Sequence, residues 1–271
     1  MTPDAGRLDA TLAARGLARS RTHAAQLIAA GEVAVDGRVV RKASMRVGPG
    51  AEIVVEASDH YVSRAAWKLV TALDAFGVDP AGRTVLDAGA STGGFSQVLL
   101  ERGAATVIAV DVGHDQLAPD LRDAPGLVLV EGCNVRDLTP EVLADLSGVT
   151  ERPSLVTADL SFISLRTVLP ALRATAAEDA DFVLLVKPQF EVGRAGVKAG
   201  VVRDDALRAD AVMDVLEAAA ALGLGTAGVV SSPVQGTHGN IELLAWLRAD
   251  GGGDPSQWRE LVTAETKGGR A

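Results

Sequence analysis

From Ser63 onward, short apolar runs alternate with longer amphipathic segments, and this alternation constrains the fold more than any other feature of the chain. Such alternation is typical of a parallel sheet covered by helices. Helices are predicted at Phe95–Arg102, Leu165–Ala177 and Asp204–Leu222, with Ser63 as the N-cap of an earlier one. The seven predicted strands are Thr84–Ala88, Val107–Asp111, Leu127–Glu131, Leu155–Asp159, Phe182–Lys187, Thr226–Ser231 and Ile241–Leu247. We therefore expect an α/β fold whose ligand site lies at the carboxyl ends of the strands.

The first 58 residues follow a different pattern, and we expect them to form a separate small α+β domain. Leu8 and Leu12 lie one helical turn apart, and a second helix is predicted to start at Ser20 and to end at Gly31. Asp36-Gly37 is a strong two-residue hairpin signal. The predicted organisation is thus a domain over residues 1–58, a linker at 59–63, a body over 64–250 and a flexible tail at 251–271.

Charge is distributed unevenly along the chain of 271 residues, although the net charge is −9. Residues 1–58 carry +2 and the remainder carries −11. A mildly basic unit on an acidic body is expected where only part of the surface faces phosphates, although a solvated basic face would look the same. The candidate phosphate contacts are Arg15, Arg19, Arg21, Arg38, Arg41, Lys42 and Arg64.

Several classes of protein are excluded or disfavoured by composition. The longest apolar stretch, Ala211 to Val230, is interrupted by Asp214 and Glu217, which excludes a membrane-spanning helix. Neither a basic leader nor an apolar leader segment precedes the first domain, so we expect a cytoplasmic protein. The single cysteine, Cys133, excludes an internal disulfide, and the four histidines lack metal-ligand spacing, so no metal is expected.

A glycine-rich segment, VLDAGASTGGF, closes the first predicted strand of the body. Gly89, Gly93 and Gly94 are spaced Gly-x-x-x-Gly-Gly, which disfavours the G-x-G-x-x-G loop of dinucleotide enzymes. Asp111 ends the next strand, where a carboxylate can accept both ribose hydroxyls of an adenosine. Asn134 could approach the adenine edge, but an ordinary loop residue is as consistent with the sequence. The glycines with Asp111 therefore indicate a nucleoside site.

Two resemblances add to these observations. The segment RLDATLAARGLARSRTHAAQLIAAGEVAVDGRVV resembles the S4 RNA-binding domain, and Asp87-x-Gly-x-x-x-Gly-Gly with Asp111 resembles the S-adenosylmethionine (SAM) site of class I methyltransferases. YVSRAAWKL, DLSFISL, LVKPQFEVGR, GVVRD and GNIELL follow in the order seen in TlyA-type ribosomal-RNA 2′-O-methyltransferases, also called hemolysin A. This family joins an S4 domain to an FtsJ/RrmJ-like domain. The resemblance thus implies a seven-stranded, Rossmann-like class I methyltransferase with SAM as cofactor.

The resemblance also implies the site residues. Lys68, Asp159, Lys187 and Glu242 match the family's catalytic Lys-Asp-Lys-Glu set. We expect Lys187 to accept the 2′-hydroxyl proton, Lys68 to orient the ribose, Asp159 to align Lys187 and the methyl donor, and Glu242 to position the lysines. A structural ion-pair network is the alternative. The implied cofactor contacts are Asp87, Gly89, Ser91, Thr92, Gly93, Gly94, Phe95, Asp111, Val112, Asn134, Val135 and Asp159.

The choice of lysine supports this assignment. The chain has 26 Lys and Arg residues but only five lysines, and two of them fall in the implied catalytic set. Lysine can give up its proton far more readily than arginine, so a titratable amine is indicated.

DVGHDQL departs from the family's usual aromatic-glycine pair after DVG, at the expected rim of the cofactor site. Phe190 and Arg194, after the fifth strand, are candidates for the RNA entrance.

The predicted function is therefore SAM-dependent 2′-O-methylation of cytidine in 16S or 23S ribosomal RNA, with ribosomal RNA or ribosomal subunits as partner. Two other functions remain open on the sequence: a pore-forming hemolysin, and a non-catalytic assembly factor that binds RNA and retains SAM. Liposome leakage would identify the first, and failure to transfer a methyl group to ribosomal subunits would identify the second. The sequence predicts no membrane partner and leaves the oligomeric state undefined.

Overall fold

The chain divides into two compact units, Met1–Tyr61 and Val62–Ala271. The computed structural model describes residues 6–15, 17–18, 21–55, 60–193, 196–197, 199–236 and 239–267. The predicted start of the second helix, at Ser20, lies outside these residues. Among the described residues, no helix has the length and apolarity needed to cross a membrane.

The first unit packs two helices against small antiparallel sheets. Helices α1 (Leu8–Ala14) and α2 (Arg21–Ala30) bury Leu8, Leu12 and Ile28, as predicted from their helical spacing. A three-stranded sheet has the order β3-β2-β5, and β1 pairs with β4 in a second sheet. Within the described residues of this unit, the strands are β1 (Gly6–Arg7), β2 (Val33–Val35), β3 (Arg38–Val39), β4 (Arg46–Val47) and β5 (Ile53–Val55).

The predicted hairpin of the first unit is confirmed. Val35 pairs with Arg38, and Asp36 and Gly37 between them have φ of 49° and 75°. Left-handed backbone at both central positions is the geometry of a type I′ turn, which glycine and aspartate tolerate better than most residues. The local pair Asp36-Gly37 was therefore sufficient to predict this turn.

The second unit contains a seven-stranded sheet with the order β11-β12-β10-β9-β6-β7-β8, which confirms the predicted α/β architecture. Strand β12 is antiparallel to both of its neighbours, and the other adjacent pairs are parallel. The strands are β6 (Thr84–Ala88), β7 (Thr106–Val110), β8 (Leu127–Val130), β9 (Leu155–Ala158), β10 (Asp181–Val186), β11 (Gly225–Ser231) and β12 (Leu243–Arg248). Each lies within about two residues of its predicted position.

Amphipathic helices contribute apolar residues to the core of the second unit. In α6 (Leu165–Thr175), the residues Leu165, Val168, Leu169 and Leu172 follow helical spacing and are almost fully buried. Each contributes about 1.5–3 kcal/mol through burial. The other helices are α3 (Ala65–Phe76), α4 (Gly94–Glu101), α5 (Pro140–Ser147), α7 (Pro188–Glu191), α8 (Asp205–Ala220) and α9 (Arg259–Thr266).

Contacts between these helices define two groups. Helix α3 contacts α4, whereas α6 contacts both α5 and α8, and α8 also contacts α9.

The predicted N-cap at Ser63 is wrong. Helix α3 begins after Arg64 with no side-chain cap, and within the described residues the buried Ser63 Oγ has no hydrogen-bond partner.

The prediction of a flexible tail after Asp250 is also wrong for the described part of that segment. Pro255–Trp258 forms a 3-10 turn that leads into α9, and Val262 is fully buried in the main core. The Arg208 Nε donates to the Thr266 carbonyl at 3.0 Å, which holds the helix on α8. Because RELVTAET has few apolar residues, its local pattern did not indicate a packed helix.

Candidate active site

Four ionisable side chains from distant parts of the chain meet at the carboxyl edge of the large sheet. Lys68 lies in the first turn of α3, Asp159 follows β9 and Lys187 follows β10. Glu242 immediately precedes β12. Because β12 is antiparallel to β10, Leu243 at the start of β12 pairs with Val186 at the end of β10. The reversed direction of β12 therefore brings Glu242 to the edge where β9 and β10 end.

These side chains form a continuous chain of ion pairs. The Lys68 Nζ lies 2.7 Å from Glu242 Oε2 and 3.7 Å from Asp159 Oδ2. The Lys187 Nζ lies 2.6 Å from Asp159 Oδ1. Asp159 thus lies between the two amines, and the structure brings together all four residues of the predicted set.

The electrostatic balance of this cluster, which we call the Lys-Asp-Lys-Glu cluster, is close to neutral. Lys68 and Lys187 are each 8% exposed and Glu242 is 3% exposed. Burying an isolated charge is costly, so each ion here depends on the opposite charge beside it. Two cations and two anions satisfy that requirement within the cluster itself. Loss of any one charge leaves another without compensation.

Two neutral side chains contact the cluster, and the sequence reasoning did not identify either of them. The Lys187 Nζ donates to Ser161 Oγ at 2.8 Å. The Gln189 Nε2 donates to Glu242 Oε1 at 3.2 Å, so both oxygens of the buried Glu242 carboxylate have a donor. Ser161 and Gln189 lie in the motifs DLSFISL and LVKPQFEVGR, so their proximity to Asp159 and Lys187 in the sequence was the available signal.

A cavity of about 440 Å³ lies beside Asp159, within the size range of small-molecule sites. Of the predicted cofactor contacts, seven line it: Gly89, Ser91, Asp111, Val112, Asn134, Val135 and Asp159. Gly89 has φ of 83°, and an added Cβ would lie 3.0 Å from the Leu160 side chain, so glycine is required there. The cavity-lining residues not predicted as cofactor contacts are Gln116, Cys133, Leu160, Ser161, Phe162, Ile163 and Val168.

Asp111 is held at the cavity edge by backbone and side-chain donors. The Ser91 N–H donates to Oδ2 at 2.8 Å, and the Gly113 N–H donates to Oδ1 at 2.7 Å. The Gln116 Nε2 donates to Oδ1 at 3.3 Å, so the DVGHDQL segment also supplies a side-chain donor to Asp111. An ionised carboxylate has about four acceptor sites, so Asp111 retains capacity for a hydroxyl donor.

Five predicted cofactor contacts do not line the cavity: Asp87, Thr92, Gly93, Gly94 and Phe95. Asp87 is fully buried, and its carboxylate accepts from Ser96 Oγ at 2.6 Å and from Thr157 Oγ1 at 3.1 Å. Burial raises the pKa of Asp87 to about 6, and the two hydroxyl donors oppose this shift. Asp87 therefore links β6 to α4 through Ser96 and to β9 through Thr157.

The second and third glycines of the loop serve packing. A Cβ on Gly93 would lie 2.5 Å from Leu121 and 2.7 Å from Leu117, and a Cβ on Gly94 would overlap Ser63 Oγ. Phe95 is 3% exposed, so its side chain belongs to the core. Glycine at these two positions lets neighbouring chain segments approach closely. Of the three glycines in the motif, Gly89 lines the cavity, whereas Gly93 and Gly94 permit close packing.

An aromatic pair marks the mouth of the cavity. Phe162 lines the cavity, is 92% exposed and has φ of 65°, a rare conformation for a bulky residue. Its ring lies 5.2 Å from that of Phe190, which in turn lies 5.9 Å from the Lys187 Nζ. Phe162 was missed, whereas Phe190 lies where the sequence analysis placed a candidate; Arg194 lies outside the described residues.

The basic residues of the first unit divide into two groups. The Arg15 guanidinium donates to the Ala51 carbonyl at 2.8 Å and to the Pro49 carbonyl at 2.6 Å, and Arg41 donates to the Ala29 carbonyl at 3.1 Å. Arg21 pairs with Asp9 at 3.3 Å. These three arginines therefore have structural contacts in addition to any role at the surface.

Arg38 and Lys42 form the second group. Both are exposed, and neither makes an ion pair within the part of the chain that the structure describes. Arg64, in the second unit, is also exposed, at the start of α3. Arg19 lies outside the described residues.

Comparison with known proteins identifies a family for each of the two parts of the chain. A family model described as FtsJ-like methyltransferase matches residues 61–249, and an S4 domain model matches residues 6–53. A 16S/23S rRNA (cytidine-2′-O)-methyltransferase, TlyA of Mycobacterium tuberculosis, is 52% identical over 245 residues, which cover 89% of each chain.

Similar folds are found among solved structures. A protein from Streptococcus thermophilus described as a hemolysin is 34% identical, with a TM-score of 0.76 over 97% of this chain and 96% of that one. A methyltransferase from Listeria monocytogenes described as S-adenosylmethionine dependent shares the fold at 16% identity, with a TM-score of 0.50 over 68% and 97% of the two chains. The chain belongs to the FtsJ-like methyltransferase family and carries an S4 domain at its amino-terminal end.

Proposed function

We propose that the protein transfers a methyl group from S-adenosylmethionine to a ribose 2′-hydroxyl of ribosomal RNA. The observation that carries this proposal is the buried Lys68-Asp159-Lys187-Glu242 chain of ion pairs, whose Asp159 also lines the cavity. A ribose hydroxyl is a weak acid, so its methylation requires a group that removes its proton. A buried amine beside the methyl-donor site supplies such a group.

The cavity residues fit S-adenosylmethionine. Asp111 offers acceptor capacity for ribose hydroxyls, and Val112, Cys133 and Val135 provide apolar surface for an adenine ring. Gly89 lets the backbone approach the ligand without a side chain between them. The Asn134 Oδ1 accepts from the Arg136 N–H, which orients the amide and leaves its Nδ2 to donate to the adenine edge. When bound, the cofactor supplies an electrophilic methyl group, which leaves its sulfur as a new bond forms to the ribose oxygen.

The roles of the cluster follow from its contacts. Lys187 is the group that accepts the hydroxyl proton, and Asp159 faces the ammonium that results. Lys68 lies 3.7 Å from the same carboxylate, so Asp159 is shared between the two amines. Glu242 accepts from Lys68, and Gln189 in turn donates to the other oxygen of Glu242. Phe162 and Phe190 provide aromatic surface on which a base of the RNA can stack.

We further propose that residues 1–58 bind structured RNA, that residues 59–63 link the units, and that residues 64–250 form the methyltransferase body. Exposed Arg38 and Lys42 then contact phosphates. The partner is ribosomal RNA or a ribosomal subunit, with cytidine as the acceptor because the M. tuberculosis relative is a cytidine 2′-O-methyltransferase. Such a substrate implies action in the cytoplasm.

The first test measures methyl transfer from tritiated S-adenosylmethionine to ribosomal subunits that lack the modification. Lys187→Met should reduce transfer by about 10²–10⁴-fold, the usual contribution of a general base, with cofactor affinity within about twofold of wild type. Lys267→Met, an exposed lysine after α9, is the matched control and should transfer normally. Wild-type transfer by Lys187→Met would contradict the assignment. Cofactor binding by the wild type without any transfer would favour an assembly factor, and liposome leakage would favour a pore.

The second test addresses RNA binding. Removing two phosphate contacts with Arg38→Ala/Lys42→Ala should weaken RNA binding and reduce the dependence of log K on log salt by about 1.5–2. Arg102→Ala, which removes an exposed arginine paired with Asp74 at 2.8 Å, is the matched control. An unchanged salt dependence in the double variant would exclude these two side chains from the RNA interface.

A further inference from the structure

We propose that Ser161 is a positioning residue that sets the direction in which the Lys187 amine faces the acceptor hydroxyl. The inference rests on the proposed role of Lys187 as the proton acceptor. The ion pairs of the cluster hold the Lys187 amine close to the site, but they do not set the orientation of its lone pair. An amine that accepts a proton must aim its lone pair at the hydroxyl, and not merely lie close to it.

The two contacts of Lys187 with the loop after β9 differ in kind. The Nζ lies 2.6 Å from Asp159 Oδ1, but within the described residues Oδ1 accepts no directed hydrogen bond. The contact with Ser161 Oγ, at 2.8 Å, does have hydrogen-bond geometry. Attraction between charges depends on distance and little on angle, whereas a hydrogen bond weakens steeply when it bends. Asp159 therefore holds the amine nearby, and Ser161 sets its rotation.

Rotation about the Cε–Nζ bond determines where the lone pair points. This bond has three staggered positions, and a neutral amine has two N–H groups and one lone pair to distribute among them. An N–H held by Ser161 occupies one position, which restricts the lone pair to the other two, and attraction of the second N–H towards Asp159 favours one of those. Without the Ser161 hydroxyl, the lone pair samples all three directions.

The segment that carries Ser161 is fastened at its far end. Phe162, the next residue, has a left-handed φ of 65°. The Ser164 Oγ donates to Glu191 Oε2 at 2.5 Å, and the Leu165 N–H donates to Glu191 Oε1 at 2.7 Å. Glu191 lies four residues after Lys187, at the end of α7. The loop that carries Ser161 and the helix that follows Lys187 are thus joined, which keeps the Ser161 hydroxyl close to the Lys187 amine.

Single-turnover methyl transfer to ribosomal subunits, at saturating tritiated S-adenosylmethionine, tests the inference in the full-length protein. Ser161→Ala should lower the maximal rate by about 3- to 10-fold, the usual range for one hydrogen bond. The subunit concentration at half-maximal rate, the cofactor affinity by calorimetry and the Tm should stay at wild-type values. Ser161→Thr retains the hydroxyl and should recover the rate to within about twofold. Ser256→Ala, which removes a hydroxyl bonded to Asp254, is the matched control.

The outcomes separate this inference from the proposed function. A Ser161→Ala rate within about twofold of wild type would overturn it, provided that Lys187→Met is inactive in the same assay. Failure of Ser161→Thr to recover the rate would also overturn it, as would a loss confined to cofactor or subunit affinity. Full activity of Lys187→Met would overturn the proposed role of Lys187 and the inference together.

Discussion

Replacing Glu242 with glutamine changes the charge balance of the buried cluster with little change in shape. In the wild type, the Lys68 Nζ lies 2.7 Å from Glu242 and 3.7 Å from Asp159, and Asp159 is shared with Lys187. In Glu242→Gln, two buried amines depend on the single Asp159 carboxylate. We expect the folded state to lose stability for this electrostatic reason, independently of any effect on methyl transfer.

The expected magnitude follows from these distances. At an effective dielectric constant of about 20, the attraction between unit charges 2.7 Å apart is about 6 kcal/mol. Glutamine also avoids the cost of burying a carboxylate, which offsets several kcal/mol of that loss. We therefore expect a net destabilisation of about 3 kcal/mol, the low end of the range for breaking a buried pair. Lys68→Met/Glu242→Gln leaves neither charge of that pair buried and should cost only about 1 kcal/mol.

Urea unfolding followed by tryptophan fluorescence measures this directly. All three tryptophans, Trp67, Trp246 and Trp258, lie in the second unit, so the signal reports the unit that contains the cluster. The cycle of Glu242→Gln, Lys68→Met and the double variant yields the coupling energy. Glu178→Gln, an exposed loop glutamate, is the control and should lie within about 0.5 kcal/mol of wild type. Additive single-variant effects would refute the argument that these charges depend on each other.

Two further predictions concern stability. Asp87 has a pKa of about 6 when folded against an ordinary value of 3.8, so its protonation favours the folded state. That contribution, about 3 kcal/mol, is complete below about pH 4 and is lost as the pH rises through about 6. Asp87→Asn should lack this dependence in urea unfolding between pH 4 and 7, and parallel curves would contradict the assignment. Val262→Ala should cost about 2 kcal/mol because it opens a cavity beneath α9, whereas the exposed neighbour Leu261→Ala should cost under about 0.5 kcal/mol; equal losses would mean that α9 is not packed as described.

Features that depend on neighbouring residues were predictable from the sequence. The apolar spacing Leu165, Val168, Leu169 and Leu172 defines the buried face of α6, because residues three and four apart share one side of a helix. Asp36-Gly37 defines a hairpin because few residue pairs tolerate its backbone. Apolar runs between amphipathic segments similarly defined the strands. The conformation of a turn and the buried face of a helix depend on residues that are only a few positions apart. The linear sequence is therefore sufficient to predict them.

The roles of individual polar residues were less predictable. Arg15 and Arg41 look like phosphate contacts in the sequence, yet their guanidinium groups donate to backbone carbonyls of the first unit. Asp87 and Gly94 belong to a motif that indicates a cofactor, yet Asp87 is bonded to Ser96 and Thr157 within the core, and Gly94 permits close packing. A side chain's identity states what it can bind, whereas its partner depends on which groups the fold places beside it.

The amino-acid sequence alone determined the strand and helix pattern, the two-unit organisation and the family resemblance, and it predicted which four residues form the catalytic set. Only the tertiary structure decided that Asp159 lies between two amines, that Ser161 and Gln189 hold the ends of that cluster, and that α9 closes the core. Lys68 and Glu242 are 174 residues apart in sequence. Their contact depends on the order and direction of the strands, which result from the packing of the whole sheet and not from any local segment.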